Sequence, residues 1–312
     1  MRQTRNHSLD LMRVLCAFGI VWAHLQCPGM EIGYVALALF LMLTTQMAVG
    51  SAETRSFGRF MRGRFWRIFL PWLGWSGLYL AVDAFRSGDP ARMWRLTDWQ
   101  SLLVGSEVHL WFLPFVVLTA PLAFLTTRLV KSRLDLWKCV FPMGLIGAGA
   151  LAMHDNGAMD APWAQWASAA IPLFYGLVSA AAKRHGAVLA PVVFVVFATM
   201  IPVYFWQSEP AFFFLVAALV FEVFCRLKIR ADWLPMAGAL SFGVYLVHPF
   251  VLLIWYKVTL DQLPRSIGAV VVFVGSVVLA WVLQWLWARL VPHRKAAPCV
   301  ARGGLPSSGQ PA

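Results

Sequence analysis

The chain has 312 residues, of which 60% are hydrophobic and only 13% charged, and its mean hydropathy is +0.68. That is too apolar for a soluble domain of ordinary composition, so the expected fold is an all-α, polytopic membrane bundle. The formal net charge of +12 comes from Arg and Lys beside apolar runs, where they face anionic lipid, and it argues for no nucleic-acid partner.

Apolar stretches close to the roughly 17–25 residues that cross a bilayer fall at 9–27, 33–50, 66–84, 110–127, 136–153, 166–182, 187–206, 211–227, 235–256 and 266–289. About ten transmembrane helices are therefore expected, all within one membrane domain over 1–292. The stretch 293–312, rich in Pro, Gly, Ser and Ala, is expected to be a disordered cytoplasmic tail.

The first stretch carries Asp10, Arg13 and His24. Eleven steps of about 100° make three turns plus about 20°, so Arg13 and His24 share one helix face about 16 Å apart. An ionisable group in a membrane helix costs about 2.5–3.5 kcal/mol on insertion scales and is usually kept where it meets substrate, ion or proton. The plainer alternative is a histidine hydrogen-bonded inside the bundle or hydrated near its surface. Asp10, at i and i+3 from Arg13, is expected to pair with it, or to be an ordinary first-turn acid after a Ser8 cap. No small-x-small cleavage site follows, so an uncleaved helix is expected.

Five arginines (Arg55, Arg59, Arg62, Arg64 and Arg67) precede or open the third helix. Arginine binds phosphate by paired, charge-assisted hydrogen bonds, and Arg64 and Arg67, at i and i+3, are expected on one face. A basic cluster beside a membrane equally sets topology or touches anionic lipid. The outer loop 85–108 carries Trp94 and Trp99, which suit interface anchors or a cap on a cavity. Glu107, His109 and Trp111 then open the fourth helix, where His109 is expected near the outer surface.

In the ninth helix Ser241, Tyr245 and His248 are spaced by four and three, a polar stripe in an apolar element. It either lines a cavity or joins helices by hydrogen bonds worth about 0.6 kcal/mol each. The five cysteines form no CxxC and no Cys/His ligand spacing, so neither a disulfide framework nor a metal site is expected.

The basic residues test this layout. With the N-terminus cytoplasmic, 21 of the 26 Arg and Lys fall inside, leaving Arg86, Arg92, Arg95, Lys257 and Arg265 outside with most of the acids. Both termini are expected in the cytoplasm, and the chain in the inner (plasma) membrane.

In order and spacing, Leu9-Asp10-Leu-Met-Arg13, then His24, Arg64-Phe-Trp-Arg67-Ile-Phe-Leu-Pro71, His109-Leu-Trp111-Phe-Leu and Ser241-Phe-Gly-Val-Tyr245-Leu-Val-His248 resemble the membrane-bound acyltransferase 3 family along nearly the whole chain. The resemblance implies about ten helices and transfer of an acyl group, usually acetyl from acetyl-CoA, to sugar hydroxyls of glycans or glycosylated molecules. It implies no bound cofactor, acyl-CoA as co-substrate, and a carbohydrate or glycolipid acceptor. Membrane lipids, a second copy of the chain or a glycan-synthesis protein are the expected partners.

In that reading His24 is the general base, with Arg13 and Asp10 completing its stripe. Arg62, Arg64 and Arg67 hold the nucleotide end of the donor. Ser241, Tyr245 and His248 line the cavity, with a Tyr or Ser hydroxyl free to donate to the thioester carbonyl, while His109 and Trp111 face the acceptor. The chain lacks the appended esterase-like domain of larger members, so no second transfer step is expected. The rival from another class is a transporter or flippase for a glycan or small anion, which the lack of a duplicated half disfavours. A third reading is a non-catalytic subunit of an envelope assembly.

Overall fold

The computed structural model describes residues 6–89, 99, 101–259 and 262–290. Arg2, Arg5, Arg92, Trp94, Arg95, Asp98, Asp261, Cys299 and the whole 293–312 tail lie outside the described residues. Among the described residues the chain is all helix: α1 His7–His24, α2 Ile32–Glu53, α3 Phe57–Arg64, α4 Leu70–Ser87, α5 Ser101–Val104, α6 Phe112–Leu129, α7 Arg133–Asp155, α8 Trp163–Ser168, α9 Ala170–His185, α10 Ala190–Trp206, α11 Glu209–Arg226, α12 Leu234–Thr259 and α13 Arg265–Leu290. Each of the ten expected stretches is helical.

Among the described residues, six helical segments are long and apolar enough to cross a membrane: Ile32–Glu53, Phe57–Ser87, Val108–Leu129, Arg133–Asp155, Leu234–Thr259 and Arg265–Leu290. The other four expected spans are α1, α9, α10 and α11, of 16 to 18 residues. α9 and α10 are short, at 16 and 17 residues, whereas α1 and α11 carry polar positions: Asp10, Arg13 and His24 in α1, and Glu209, Glu222 and Arg226 in α11. Rows of exposed large apolar residues, such as Val270, Val274, Val278 and Trp281 on α13, are the surface a lipid environment would cover.

Local chemistry explains where the helices break. The stretch expected as one helix at 166–182 is two, because Pro172 in the first turn of α9 has no N–H to continue the ladder from α8. Pro71 likewise cannot donate to the Arg67 carbonyl, and just before it the hydrogen bonding shifts to a π-helical turn, Phe65–Phe69, that joins α3 to α4. The first helix starts earlier than expected, at an Asn6 cap whose side chain accepts from the Ser8 N–H. It ends at His24, because Gln26 takes a left-handed conformation and Pro28 follows.

α2 is the central element, packed on α1, α6, α9 and α11. Leu41, Met42 and Leu43 are all buried, and three successive buried positions mean that the helix is surrounded. Small residues let it approach α1: a Cβ added to Gly33 would lie 2.3 Å from the Ala23 Cβ. At one end of the bundle, Arg133 donates to the His185 carbonyl and Arg184 to the Thr127 carbonyl, tying together α6, α7 and α9. At the other, Arg265 donates to the Gln26 side chain, joining α13 to the end of α1.

Candidate functional site

At the Asn6 end, Asp10 is buried and accepts from Arg13 Nη1 at 2.9 Å, which is the expected ion pair. Gly238 on α12 makes room for it, since a Cβ there would meet Asp10 Oδ1 at 2.7 Å. The second Arg13 nitrogen reaches the Met47 sulfur on α2. Ser8 is not the helix cap. Its buried hydroxyl donates to the Leu227 carbonyl at 2.8 Å and accepts from the Ile229 N–H at 3.0 Å, holding the segment after α11.

Three turns away, His24 is the last residue of α1 rather than an interior one, and it is exposed into a cavity of about 210 Å³. Helix rise puts it about 16 Å from Arg13, and Arg13 does not line that cavity. The walls come from α1 and α2 through Ile20, Ala23, Gly33, Tyr34 and Leu37, and from His109, Trp111 and Tyr245. His109 and Trp111 sit on a 3-10 turn, Val108–Trp111, not yet in α6, and both are buried. Tyr245 donates its hydroxyl to the His109 carbonyl and so pins that turn against α12.

Behind His24 lies a second buried histidine. Ring centroids separate His24 from His248 by 5.0 Å, His109 from His248 by 5.6 Å and His24 from His109 by 6.5 Å. Tyr79 of α4 stands edge-on to His109 at 5.3 Å and donates to the Leu246 carbonyl at 2.8 Å. Five residues from four separate stretches of chain thus converge on one polar cluster, four of them expected and Tyr79 not. Its signal in the sequence was a lone phenol in an apolar helix, which its neighbours alone do not distinguish from a core residue.

Ser241 is elsewhere. Its buried hydroxyl donates to the Gly238 carbonyl at 2.8 Å within α12. Neither it nor the Tyr245 hydroxyl is free to donate to a thioester carbonyl, because backbone carbonyls already take both.

Arg62, Arg64 and Arg67 lie apart from the cavity. Arg64 ends α3, half-buried, with its guanidinium 5.0 Å from the centre of the Phe60 ring. Arg62 and Arg67 are exposed. The shared face expected for Arg64 and Arg67 assumed α-helical winding, and the π-helical turn that holds Arg67 alters that register. The charges of Arg55 and Arg67 nonetheless act on Arg64, so three cations crowd one place.

Such a basic entrance and a histidine-lined cavity sit on one helical chain, and a family model described as an acyltransferase domain, that of acyltransferase family 3, matches residues 6–285. The chain belongs to acyltransferase family 3. The matched range starts at the cap of α1 and ends within α13, so this family 3 domain takes in the histidine cluster, the Asp10–Arg13 pair and the arginines together. It is a membrane acyltransferase. No curated protein and no solved structure matches the chain.

Proposed function

We propose that this chain is an integral membrane O-acyltransferase that moves an acyl group, acetyl from cytoplasmic acetyl-CoA, onto a hydroxyl of a surface glycan or another carbohydrate. The observation that carries the reading is His24 at the mouth of a cavity walled by His109, Trp111 and Tyr245, within a family 3 acyltransferase domain.

With both termini cytoplasmic, the Asn6 end of α1 faces the donor and His24 faces the acceptor. His7 to His24 spans about 26 Å at 1.5 Å per residue, most of a hydrocarbon core about 30 Å thick. Arg64 and Arg67, with Arg62 at their edge, hold the phosphates of the nucleotide while the acyl arm enters the bundle. Arg13, held by Asp10, supplies positive charge partway along. His24 takes the proton of the acceptor hydroxyl as that oxygen attacks the thioester carbonyl. The carbon–sulfur bond then breaks, and the proton returns to the leaving thiolate. Trp111 offers an aromatic face to the acceptor.

The test is transfer from radiolabelled acetyl-CoA into the cell-surface glycan of the native host, comparing wild type with His24→Ala at matched membrane abundance. Loss of label by about a hundredfold or more is the expected result for a general base. Unchanged label with the protein present would remove His24 from the chemistry.

A further inference from the structure

We propose that His248 is the positioning residue that sets which nitrogen of His24 acts as the base. The inference rests on the acyltransferase reading and adds to it a residue that contacts neither substrate.

His248 is fully buried. Its Nδ1 lies 2.8 Å from the Tyr245 carbonyl oxygen and 3.2 Å from that of Val244. A carbonyl only accepts, so Nδ1 must carry a proton. In the neutral ring Nε2 is then a bare lone pair, and it has no hydrogen-bond partner among the described residues. Leaving a buried acceptor without a donor is unfavourable, so a donor is called for.

The neighbours narrow the choice. The Tyr245 hydroxyl is committed to the His109 carbonyl and the Tyr79 hydroxyl to that of Leu246. The ring donors left beside His248 are His24 and His109, whose Nε2 is likewise without a partner among the described residues; His24 is the nearer, at 5.0 Å against 5.6 Å, and of the two it is the one exposed to the cavity. Two imidazoles joined by one N–H···N bond have centroids about 5 Å apart. Rotation of the His24 ring therefore brings one N–H onto His248 Nε2 and leaves its other nitrogen, unprotonated, facing the cavity.

The backbone of α12 thus dictates the tautomer of His248, and His248 dictates that of His24. When His24 takes the acceptor's proton on its cavity-facing nitrogen, the imidazolium keeps its bond to His248, which stays neutral throughout. The thiolate then receives that same proton, and both histidines return to their starting forms. A hydrogen-bond partner that orients a functional histidine from behind is typically worth about 10–100-fold.

The experiment is solid-state NMR of the full chain in lipid bilayers with ¹⁵N-labelled histidine, read beside kinetics with acetyl-CoA. The expected spectrum has His248 protonated at Nδ1 and a coupling across an N–H···N bond from His24. In His248→Leu the His24 ring is expected to lose its single tautomer, with kcat falling about 10–100-fold and KM for acetyl-CoA unchanged. In His248→Gln, whose side-chain oxygen can accept from His24, part of kcat returns. A wild-type His248 protonated at Nε2, the absence of any coupling to His24, or an unchanged kcat in folded His248→Leu would overturn the proposal. The spectrum needs no turnover, so a wild type that transfers nothing would sink the acyltransferase reading and leave the His24–His248 result to stand or fall separately.

Discussion

Tyr245 shows how one side chain serves packing and site together. Its ring lines the cavity, while its hydroxyl reaches across from α12 to the turn that carries His109 and Trp111. Tyr245→Phe keeps the ring and removes the bond, so a loss of about 1 kcal/mol in stability is expected, near the mean for one buried hydrogen bond. Thermal unfolding in detergent would measure it, and activity should fall as the turn loosens. Asp10 and Arg13 were legible as a pair from their i, i+3 spacing, since that contact lies within one helix. The alternative of a Ser8 cap does not hold, and the sequence could not exclude it, because a serine near a helix start looks the same whether it caps that helix or bonds a distant segment. Its partners at Leu227 and Ile229 are more than two hundred residues away.

The contact between α1 and α2 is set by small residues on both, and α2 itself offers a control. Gly33→Ala places a methyl 2.3 Å from the Ala23 Cβ, and neither atom can swing aside, so the helices must part. A cost of about 1–3 kcal/mol is expected, as for overpacked cores, together with reduced transfer because both residues line the cavity. Gly50→Ala in the same helix meets nothing within 4 Å and should gain up to about 1 kcal/mol from helix propensity. Melting temperatures of the two variants should move in opposite directions. The π-helical turn is an element-scale feature with a consequence for the arginines. Half-buried Arg64 is held against Phe60, whereas Arg62 is exposed. Arg64→Ala is expected to raise KM for acetyl-CoA about tenfold or more, the worth of one charge-assisted hydrogen bond, and Arg62→Ala to raise it less. Acetyl-pantetheine, which lacks the nucleotide, should show little change with either, and initial-rate kinetics with both donors separates the cases.

For the whole molecule the decisive question is which end of the bundle faces which compartment. Lys131 precedes α7 and Asp160 follows it, both exposed. In a background without the native cysteines, Lys131→Cys should react with an impermeant maleimide only from the cytoplasmic side and Asp160→Cys only from the other. Equal labelling from one side would reverse or break the proposed topology. The helical class and the position of every long helix followed from hydropathy and composition, because an apolar run in a membrane must satisfy its own backbone, and a helix does so locally. The Asp10–Arg13 pair followed for the same reason of short range. What the sequence by itself determined was therefore the set of elements, their order and the chemistry spaced along them. Only the tertiary structure decided that His24, Tyr79, His109, Tyr245 and His248 share one cluster while Arg13, Ser241 and the arginines do not. It also decided that the Ser241 and Tyr245 hydroxyls are spent on backbone carbonyls. The reason is physical: burial and hydrogen-bond partners depend on how helices far apart in the chain cross, and the spacing within any one helix says nothing about that crossing.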